Sequence, residues 1–217
     1  MLRYVQDWQP MTVKTQATIE DLYHVDDKAE IVNGEIIHMP PTGFLPGRTG
    51  GAVYRSLSEH ERKAKSGFAI PDNVGFHVHL PNRESFSPNA AWFTGEPTGM
   101  RFLEGAPIFA VEVRSEEDYG PVSEPRAVAT GSNDGKSEAM LKNPMTERAI
   151  AAKRADYFAA GTLCVWDVDL LSSDVIKAYH ANDPENPLIF RRGEMAHAGE
   201  AVPGWSMPVD DLFRDNE

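Results

Sequence analysis

An Asn-Gly step between two β-branched runs constrains the fold of this chain more than any other local feature. Asn33-Gly34 separates the run Glu30–Val32 from the run Glu35–Ile37. Both central residues of a two-residue type I′ turn need positive φ, which Asn and Gly adopt most readily. The sequence therefore predicts an N-terminal β-hairpin. A short helix capped by Thr18 should precede it, after a loosely ordered lead-in over residues 1–17.

The remaining hydrophobic pattern predicts an α/β domain in which strands outnumber helices. Helical spacing predicts two long helices, over residues 47–65 and 144–160. Strands are expected at Phe68–Leu80, Ser87–Phe93, Pro107–Val113, Thr162–Asp169, Asp174–Tyr179 and Pro187–Arg191. Because the long helices flank this group of strands, the predicted fold is a central mixed β-sheet flanked by helices. A length of 217 residues fits a single domain over residues 1–217.

Residues 116–147 interrupt this pattern. They contain Gly-Pro, Glu-Pro and Asn-Pro steps and little apolar periodicity, so we predict an inserted loop. Loops of this length inside a compact domain are usually functional or disordered. The stretch Thr130–Ser137 resembles a phosphate-binding loop, but it has three residues between its glycines where that motif needs four. We therefore interpret it as a polar loop tip.

Charge and composition narrow the classes of function. The chain carries 21 Lys+Arg against 33 Asp+Glu, a formal net charge of −12, which disfavours a non-specific coat for nucleic acid. A nucleic-acid enzyme with a locally basic cleft remains compatible with this charge. No apolar run reaches the ~20 residues that a membrane helix needs, and the N-terminus lacks a signal-peptide pattern, so no membrane partner is expected.

Cysteine and histidine often take part in catalysis or metal binding, but both have simpler interpretations in this chain. Cys164 is the single cysteine, which excludes an internal disulfide and favours a reducing cytoplasm. Its place in an apolar strand predicts a buried structural thiol. His77 and His79 point to one face of a predicted strand, where a metal could bind. Because no third ligand is near in the sequence, we expect solvated or hydrogen-bonded histidines.

The strongest candidate for chemistry is an acid within a buried strand. Glu112 interrupts an apolar run, and a carboxylate there is costly to bury unless it meets a cation or a metal. Lys153 shares a helix face with Ala149, Ile150 and Tyr157, the face expected to pack on the sheet. A Glu112–Lys153 contact is therefore expected. Residue patterns alone leave open whether that contact is a structural ion pair or part of an active site.

Four blocks of the chain, in this order and spacing, resemble the Uma-type restriction endonuclease family, a branch of the PD-(D/E)XK nuclease superfamily. The blocks are Ala29–Ile36, Ser87–Phe93, Phe109–Ser115 and Lys153–Trp166. The resemblance covers about residues 18–213, with residues 116–147 as an insertion. It implies a restriction-endonuclease-like core and Mg²⁺-dependent (or Mn²⁺-dependent) phosphodiester hydrolysis of DNA.

The resemblance also implies roles for particular residues. In this chemistry two acids hold the metal, and a lysine orients or activates the attacking water. Asn89 stands where the family has its first metal-binding aspartate, Glu112 matches the second acid, and Lys153 matches the lysine. Arg114 occupies the lysine position of the wider superfamily and is a candidate phosphate contact.

The asparagine at position 89 leaves the predicted site one acid short. A neutral amide should weaken the binding of Mg²⁺ or Mn²⁺, which favour carboxylates. Three explanations remain open: an inactivated natural homologue, a deliberately inactivated variant, or a substitute acid, namely Glu30 or Glu35.

The predicted function is therefore a metal-dependent DNA endonuclease with an impaired metal site. The alternative is a catalytically silent nuclease-fold module that binds nucleic acid, or a protein partner through residues 116–147. A third interpretation is an acidic globular protein whose Glu112–Lys153 pair is purely structural. A homodimer would suit cleavage of both strands of a duplex.

Overall fold

The computed structural model describes residues 16–119 and 144–213. These residues form three α-helices: α1 (Ile19–Leu22), α2 (Phe44–Ala64) and α3 (Pro144–Ala159). They also form thirteen β-strands: β1 (Ala29–Val32), β2 (Glu35–His38), β3 (Phe68–Pro71), β4 (Phe76–Leu80), β5 (Arg83–Phe86), β6 (Ala90–Phe93), β7 (Leu103–Glu104), β8 (Phe109–Val113), β9 (Cys164–Val168), β10 (Ile176–His180), β11 (Asp183–Phe190), β12 (Met195–His197) and β13 (Ser206–Pro208).

Most of the strands form two mixed sheets. The six-stranded sheet has the order β11-β10-β9-β8-β6-β3, and the five-stranded sheet has the order β2-β1-β5-β4-β7. In the first sheet β8 and β9 are parallel, and in the second β4 and β7 are parallel. The predicted α/β class with mixed pairing is confirmed, although the strands divide between two principal sheets where the sequence suggested one.

The division arises where one long strand was expected over Phe68–Leu80. β3 ends at Pro71, and Asn73 adopts φ 62° before β4 begins at Phe76. Proline offers no backbone N–H, and a positive φ turns an extended chain out of its sheet. β3 therefore pairs with β6 in the six-stranded sheet, while β4 pairs with β5 in the other.

The N-terminal hairpin forms as predicted. β1 and β2 are antiparallel, with Val32 opposite Glu35. Asn33 and Gly34 have φ of 51° and 72°, the positive values that a type I′ turn requires. Thr18 caps α1 by accepting a hydrogen bond from the backbone N–H of Asp21.

The central strands of the six-stranded sheet are covered on both faces, and side-chain alternation on β8 decides which face carries each residue. Phe109, Val111 and Val113 pack with α2 and the C-terminal segments. Ala110 faces the other way, toward the five-stranded sheet and Tyr157 of α3. Residues two apart on a strand share a face, so Glu112 lies on the α3 side with Ala110.

The predicted insertion falls only partly within the described residues. Residues 120–143, which include the Thr130–Ser137 stretch, lie outside them, as do residues 1–15 of the predicted lead-in. The described flanks are helical, because a 3-10 helix spans Glu116–Asp118 and α3 begins at Pro144. In the described ranges, no helix combines the length and the apolar character needed to cross a membrane. Cys164 is fully buried, as predicted.

Candidate active site

Glu112 and Lys153, which the sequence predicts to meet, are in contact. Lys153 Nζ lies 2.8 Å from Glu112 Oε1 and 3.0 Å from Glu30 Oε1. The Tyr157 hydroxyl donates a hydrogen bond of 2.6 Å to the same Glu112 oxygen. Lys153 and Tyr157 are four residues apart, so both side chains leave one face of α3. That spacing is the signal from which a role for Tyr157 could have been predicted.

The docking face of α3 is more polar than the sequence suggested. Tyr157 is fully buried, but Ile150 is only half-buried and Ala149 is exposed. The expected apolar face is therefore wrong at Ala149. Hydrogen-bonded charged side chains hold this helix on the sheets, together with Tyr157.

Glu30 is the second acid at the lysine, and both of its oxygens are engaged. Oε1 accepts from Lys153 and, at 2.9 Å, from the backbone N–H of Ser87. Oε2 accepts from Arg83 Nη1 at 2.6 Å. Glu30 therefore lies beside the predicted site, but its contacts favour a role in holding Lys153 over the role of substitute metal ligand.

Arg83 provides a second link between Glu30 and α3, through an ion pair with Asp156. Its Nε donates to Asp156 Oδ2 at 2.8 Å, while Nη1 donates to Glu30. We refer to Glu30, Arg83, Glu112, Lys153, Asp156 and Tyr157 as the buried ion-pair cluster. Sequence analysis missed Arg83, because nothing in the local pattern of its polar strand marks it as a partner of Glu30.

The electrostatics of the cluster keep its lysine charged. Burial would lower the pKa of Lys153, but the charges and hydrogen bonds of Glu112 and Glu30 raise it above its ordinary value. Burial, with the charges of Glu112 and Glu30, also raises the pKa of Tyr157 well above the usual range. Both groups therefore stay protonated and act as hydrogen-bond donors, so Lys153 is unsuited to act as a general base here.

Asn89 lies directly before β6 and makes two hydrogen bonds to β8, one through its backbone and one through its side chain. Its backbone N–H donates to Val111 O at 3.0 Å, and its Oδ1 accepts the backbone N–H of Val113 at 2.8 Å. The β6–β8 register pairs Ala90 with Val111, so Asn89 lies beside the end of β8 that contains Glu112.

Close packing against α2 fixes the position of Asn89. The residue is only 8% exposed. A Cβ built on Gly50 of α2 would lie 3.0 Å from the backbone O of Asn89 and 3.1 Å from its Cβ. The glycine thus allows the helix to approach the start of β6 closely, and a larger residue would displace the predicted metal-binding position.

Glu112 offers a divalent cation a better ligand atom than Asn89 does. Glu112 uses Oε1 for Lys153 and Tyr157, and no described residue donates to its Oε2, which leaves that oxygen for a cation. Asn89 uses its oxygen for Val113, so its other terminal atom is an NH₂ group, which cannot bind a cation. An aspartate could accept the same hydrogen bond and still present a second oxygen.

A cleft reaches both of these residues. Its volume is about 940 Å³, and Asn89 and Glu112 form part of its wall. Residues 39–46, which connect the hairpin to α2 and include the exposed Phe44, also line the cleft. The two predicted metal-binding positions are therefore open to a ligand from one side.

Arg114 has partners other than the phosphate that the sequence suggested. Its side chain is only 2% exposed, and Nε and Nη2 each donate to Asp167 at 2.7 Å. It also pairs with Glu147 in the first turn of α3. Burial opposes the charge, but Asp167 and Glu147 raise the pKa of Arg114. These contacts favour a structural link between α3 and the sheet.

The other proposed substitute acid lies apart from the cluster. Glu35 is exposed on β2, beside the hairpin turn and opposite Val32. In the described residues it is not among the side chains that contact Glu112, Lys153 or Asn89. The structure therefore brings Glu30, but not Glu35, to the lysine.

Comparison with known proteins agrees with the fold and with the family that the sequence resembles. The family model Uma2, described as "putative restriction endonuclease", matches residues 17–210, and the chain belongs to this family. The crystal structure of "a putative nuclease belonging to DUF820" from Anabaena variabilis ATCC 29413 is similar at a TM-score of 0.62. Sequence identity is 12%, over 91% of this chain and 97% of that chain, which shows a shared fold. A search of curated proteins found no match.

The buried acid Glu30 should make stability depend on pH. Burial would raise the pKa of Glu30, but the charges of Lys153 and Arg83 lower it below its ordinary value of 4.5. A lowered folded-state pKa stabilises the protein above the unfolded-state value, and that stabilisation is lost as pH falls through the folded-state value. The free energy of unfolding should therefore decrease as the pH falls below about 4.5.

Urea denaturation over a series of acidic pH values measures this effect. In Glu30→Gln the decrease should be shallower, because the group that takes up a proton on unfolding is gone. Glu59→Gln, at an exposed position of α2, is the matched control and should follow the native curve. Equal pH dependence in Glu30→Gln and the native chain would contradict the assignment.

Proposed function

We propose that the chain is a DNA endonuclease homologue of the PD-(D/E)XK type, with a metal site impaired at Asn89. One observation carries the proposal: Lys153 is held between Glu30 and Glu112, and Glu112 lines a cleft whose wall also includes Asn89. Family membership supports a nuclease function for this cleft.

Several residues of this chain have separate roles in the proposed hydrolysis. A bound Mg²⁺ or Mn²⁺ would supply a nucleophile from water and neutralise the scissile phosphate. Glu112 offers Oε2 to the cation, while Tyr157 and Lys153 fix its other oxygen. Lys153 remains an ammonium group, which donates hydrogen bonds that orient the attacking water and stabilise charge on the phosphate.

Glu30 and Arg83 act as positioning residues. Glu30 holds the lysine through Oε1, and Arg83 holds Glu30 through Oε2. The ammonium group therefore has a fixed place before a substrate enters. This preorganisation is what electrostatic catalysis requires, because groups that are already oriented need no rearrangement during the reaction.

A second candidate function is a nuclease-fold module that binds nucleic acid, or a protein partner, without cutting. The observation that favours it is the hydrogen bond from Val113 to Asn89, which engages the only oxygen on that side chain. The predicted contact for a protein partner, residues 116–147, lies mostly outside the described residues. The two candidates differ in whether an acid at position 89 creates cleavage.

Plasmid cleavage with Mg²⁺ and with Mn²⁺ tests the proposal. We expect little cleavage by the native chain and much faster cleavage by Asn89→Asp. Lys153→Ala added to Asn89→Asp should abolish the gain. Nicked circles would indicate one strand cut per encounter, and linear product would indicate paired copies, as in a homodimer.

The other outcomes separate the alternatives. Rapid cleavage by the native chain would mean that the amide is tolerated. If no variant cuts any DNA or RNA in the presence of either metal, the nuclease proposal is wrong. Salt-dependent binding of the same nucleic acids would then support the silent module, because phosphate contacts weaken steeply as salt rises.

A further inference from the structure

A second cluster of ligand-type side chains lies in the five-stranded sheet, away from the ion-pair cluster. His77 and His79 are alternate residues of β4, so their side chains leave the same face. β7 runs parallel to β4 and puts Glu104 opposite His77. No metal was expected from the sequence, because no third ligand lies near the two histidines along the chain. Glu104 provides that third ligand-type side chain. The fold supplies it from 27 residues further along the chain.

The three side chains are close enough to share one ion. His77 Nδ1 lies 3.2 Å from Glu104 Oε1, and the two imidazole rings are 4.4 Å apart between centroids. One ligand atom from each residue lies within 4.8 Å of those from the other two. Ligands at about 2.0–2.2 Å from a zinc ion in a tetrahedral site are about 3.3–3.6 Å apart, so His77 and Glu104 already have nearly this spacing and a small side-chain rotation would bring His79 to it.

We propose that His77, His79 and Glu104 form a binding site for a divalent transition metal of the zinc class. Two imidazoles and one carboxylate are a ligand set that suits Zn²⁺, whereas Mg²⁺ and Ca²⁺ prefer oxygen ligands throughout. The site is therefore chemically distinct from the position at Asn89 and Glu112, which offers oxygen only. Glu104 is 62% exposed and His77 is 16% exposed, so an ion can enter without unfolding, and water can take the fourth position.

The ion would stabilise a short edge strand. β7 contains two residues, and within the described ranges its partner in the sheet is β4. The neighbouring residues reach α1, because the backbone N–H of Phe102 donates to the Tyr23 hydroxyl at 2.7 Å and Arg101 pairs with Glu20. A metal joining β4 to β7 thus stabilises the segment that connects the sheet edge to α1.

Calorimetric titration of the full chain with Zn²⁺ tests the inference. Excess Mg²⁺ is kept in the buffer so that it competes at oxygen-only sites. We expect one Zn²⁺ per chain, with an affinity reduced at least tenfold in His79→Ala and in Glu104→Gln. Both changes are at exposed positions, so the variants should fold, which circular dichroism verifies. His38→Ala, an exposed histidine on β2, is the matched control and should bind like the native chain.

A second measurement is independent of the calorimetric signal. A ligand that binds only the folded state stabilises it by RT ln(1 + [L]/Kd), so Zn²⁺ should raise the Tm of the native chain and of His38→Ala. It should not raise that of His79→Ala.

The inference is overturned by two results: no Zn²⁺ binding, or binding that His79→Ala and Glu104→Gln leave unchanged. Either would mean that His77 and Glu104 form only a surface ion pair. The Glu112→Gln variant should keep the Zn²⁺ site, so this test is independent of the nuclease proposal.

Discussion

Asn89→Asp is expected to bind Mn²⁺ at least about tenfold more tightly than the native chain, since even the outer-shell partners of metal ligands are worth 10–100-fold. Positions 89 and 112 line the same cleft. The aspartate can keep the Val113 hydrogen bond with one oxygen and present the other to the cation. Two carboxylates then face one position, which is the donor set that Mg²⁺ and Mn²⁺ favour.

Calorimetric titration with Mn²⁺ measures this change, and Glu112→Gln provides the control. The gain from Asn89→Asp should disappear when Glu112→Gln is added, because one carboxylate remains. Without metal, the aspartate should lower the Tm, since two like charges would face each other in a partly buried site. Equal Mn²⁺ affinity in the native chain and Asn89→Asp would show that position 89 is not a ligand.

Replacing Arg83 by methionine is expected to lower the free energy of unfolding by about 3–5 kcal/mol, the cost of breaking a buried ion pair by removing one partner. Arg83 is buried and donates to both Glu30 and Asp156. Its loss removes the cationic donor of Glu30 Oε2 and of Asp156 Oδ2, both largely buried, and methionine cannot donate a hydrogen bond to either. The same change should also loosen Lys153, which Glu30 holds.

Urea denaturation of Arg83→Met and Arg101→Met makes a matched comparison. Arg101 also pairs with a glutamate, Glu20, but its side chain is 60% exposed. Exposed pairs contribute about 0–1 kcal/mol, so Arg101→Met should change the free energy of unfolding little. Comparable losses in the two variants would contradict the assignment of Arg83 to the centre of a buried ion-pair cluster.

The features that the sequence predicted correctly have local causes. The hairpin followed from the positive φ that Asn33 and Gly34 adopt readily. The Glu112–Lys153 contact followed from a different local argument. An acid within an apolar strand needs a cation, and the helix pattern placed a lysine on the side facing the sheet.

The features that were missed depend on contacts between distant parts of the chain. Glu30 and Arg83 are 53 residues apart, and Arg83 and Asp156 are 73 residues apart. Neither pair leaves a pattern in any local window of sequence. The ion pairs of Arg114 could not be predicted for the same reason, because Asp167 and Glu147 reach it from two other elements. Glu104 is a neighbour of His77 because β7 pairs with β4.

Anomalous diffraction from Mn²⁺-soaked crystals of Asn89→Asp tests the central claim most directly. The account predicts a manganese peak between the carboxylates at positions 89 and 112, with Lys153 still in contact with Glu112. The native chain under the same conditions should give a weaker peak there or none. A peak elsewhere in the cleft that does not contact either position, or none in the variant, would contradict the assignment of this site to metal-dependent hydrolysis.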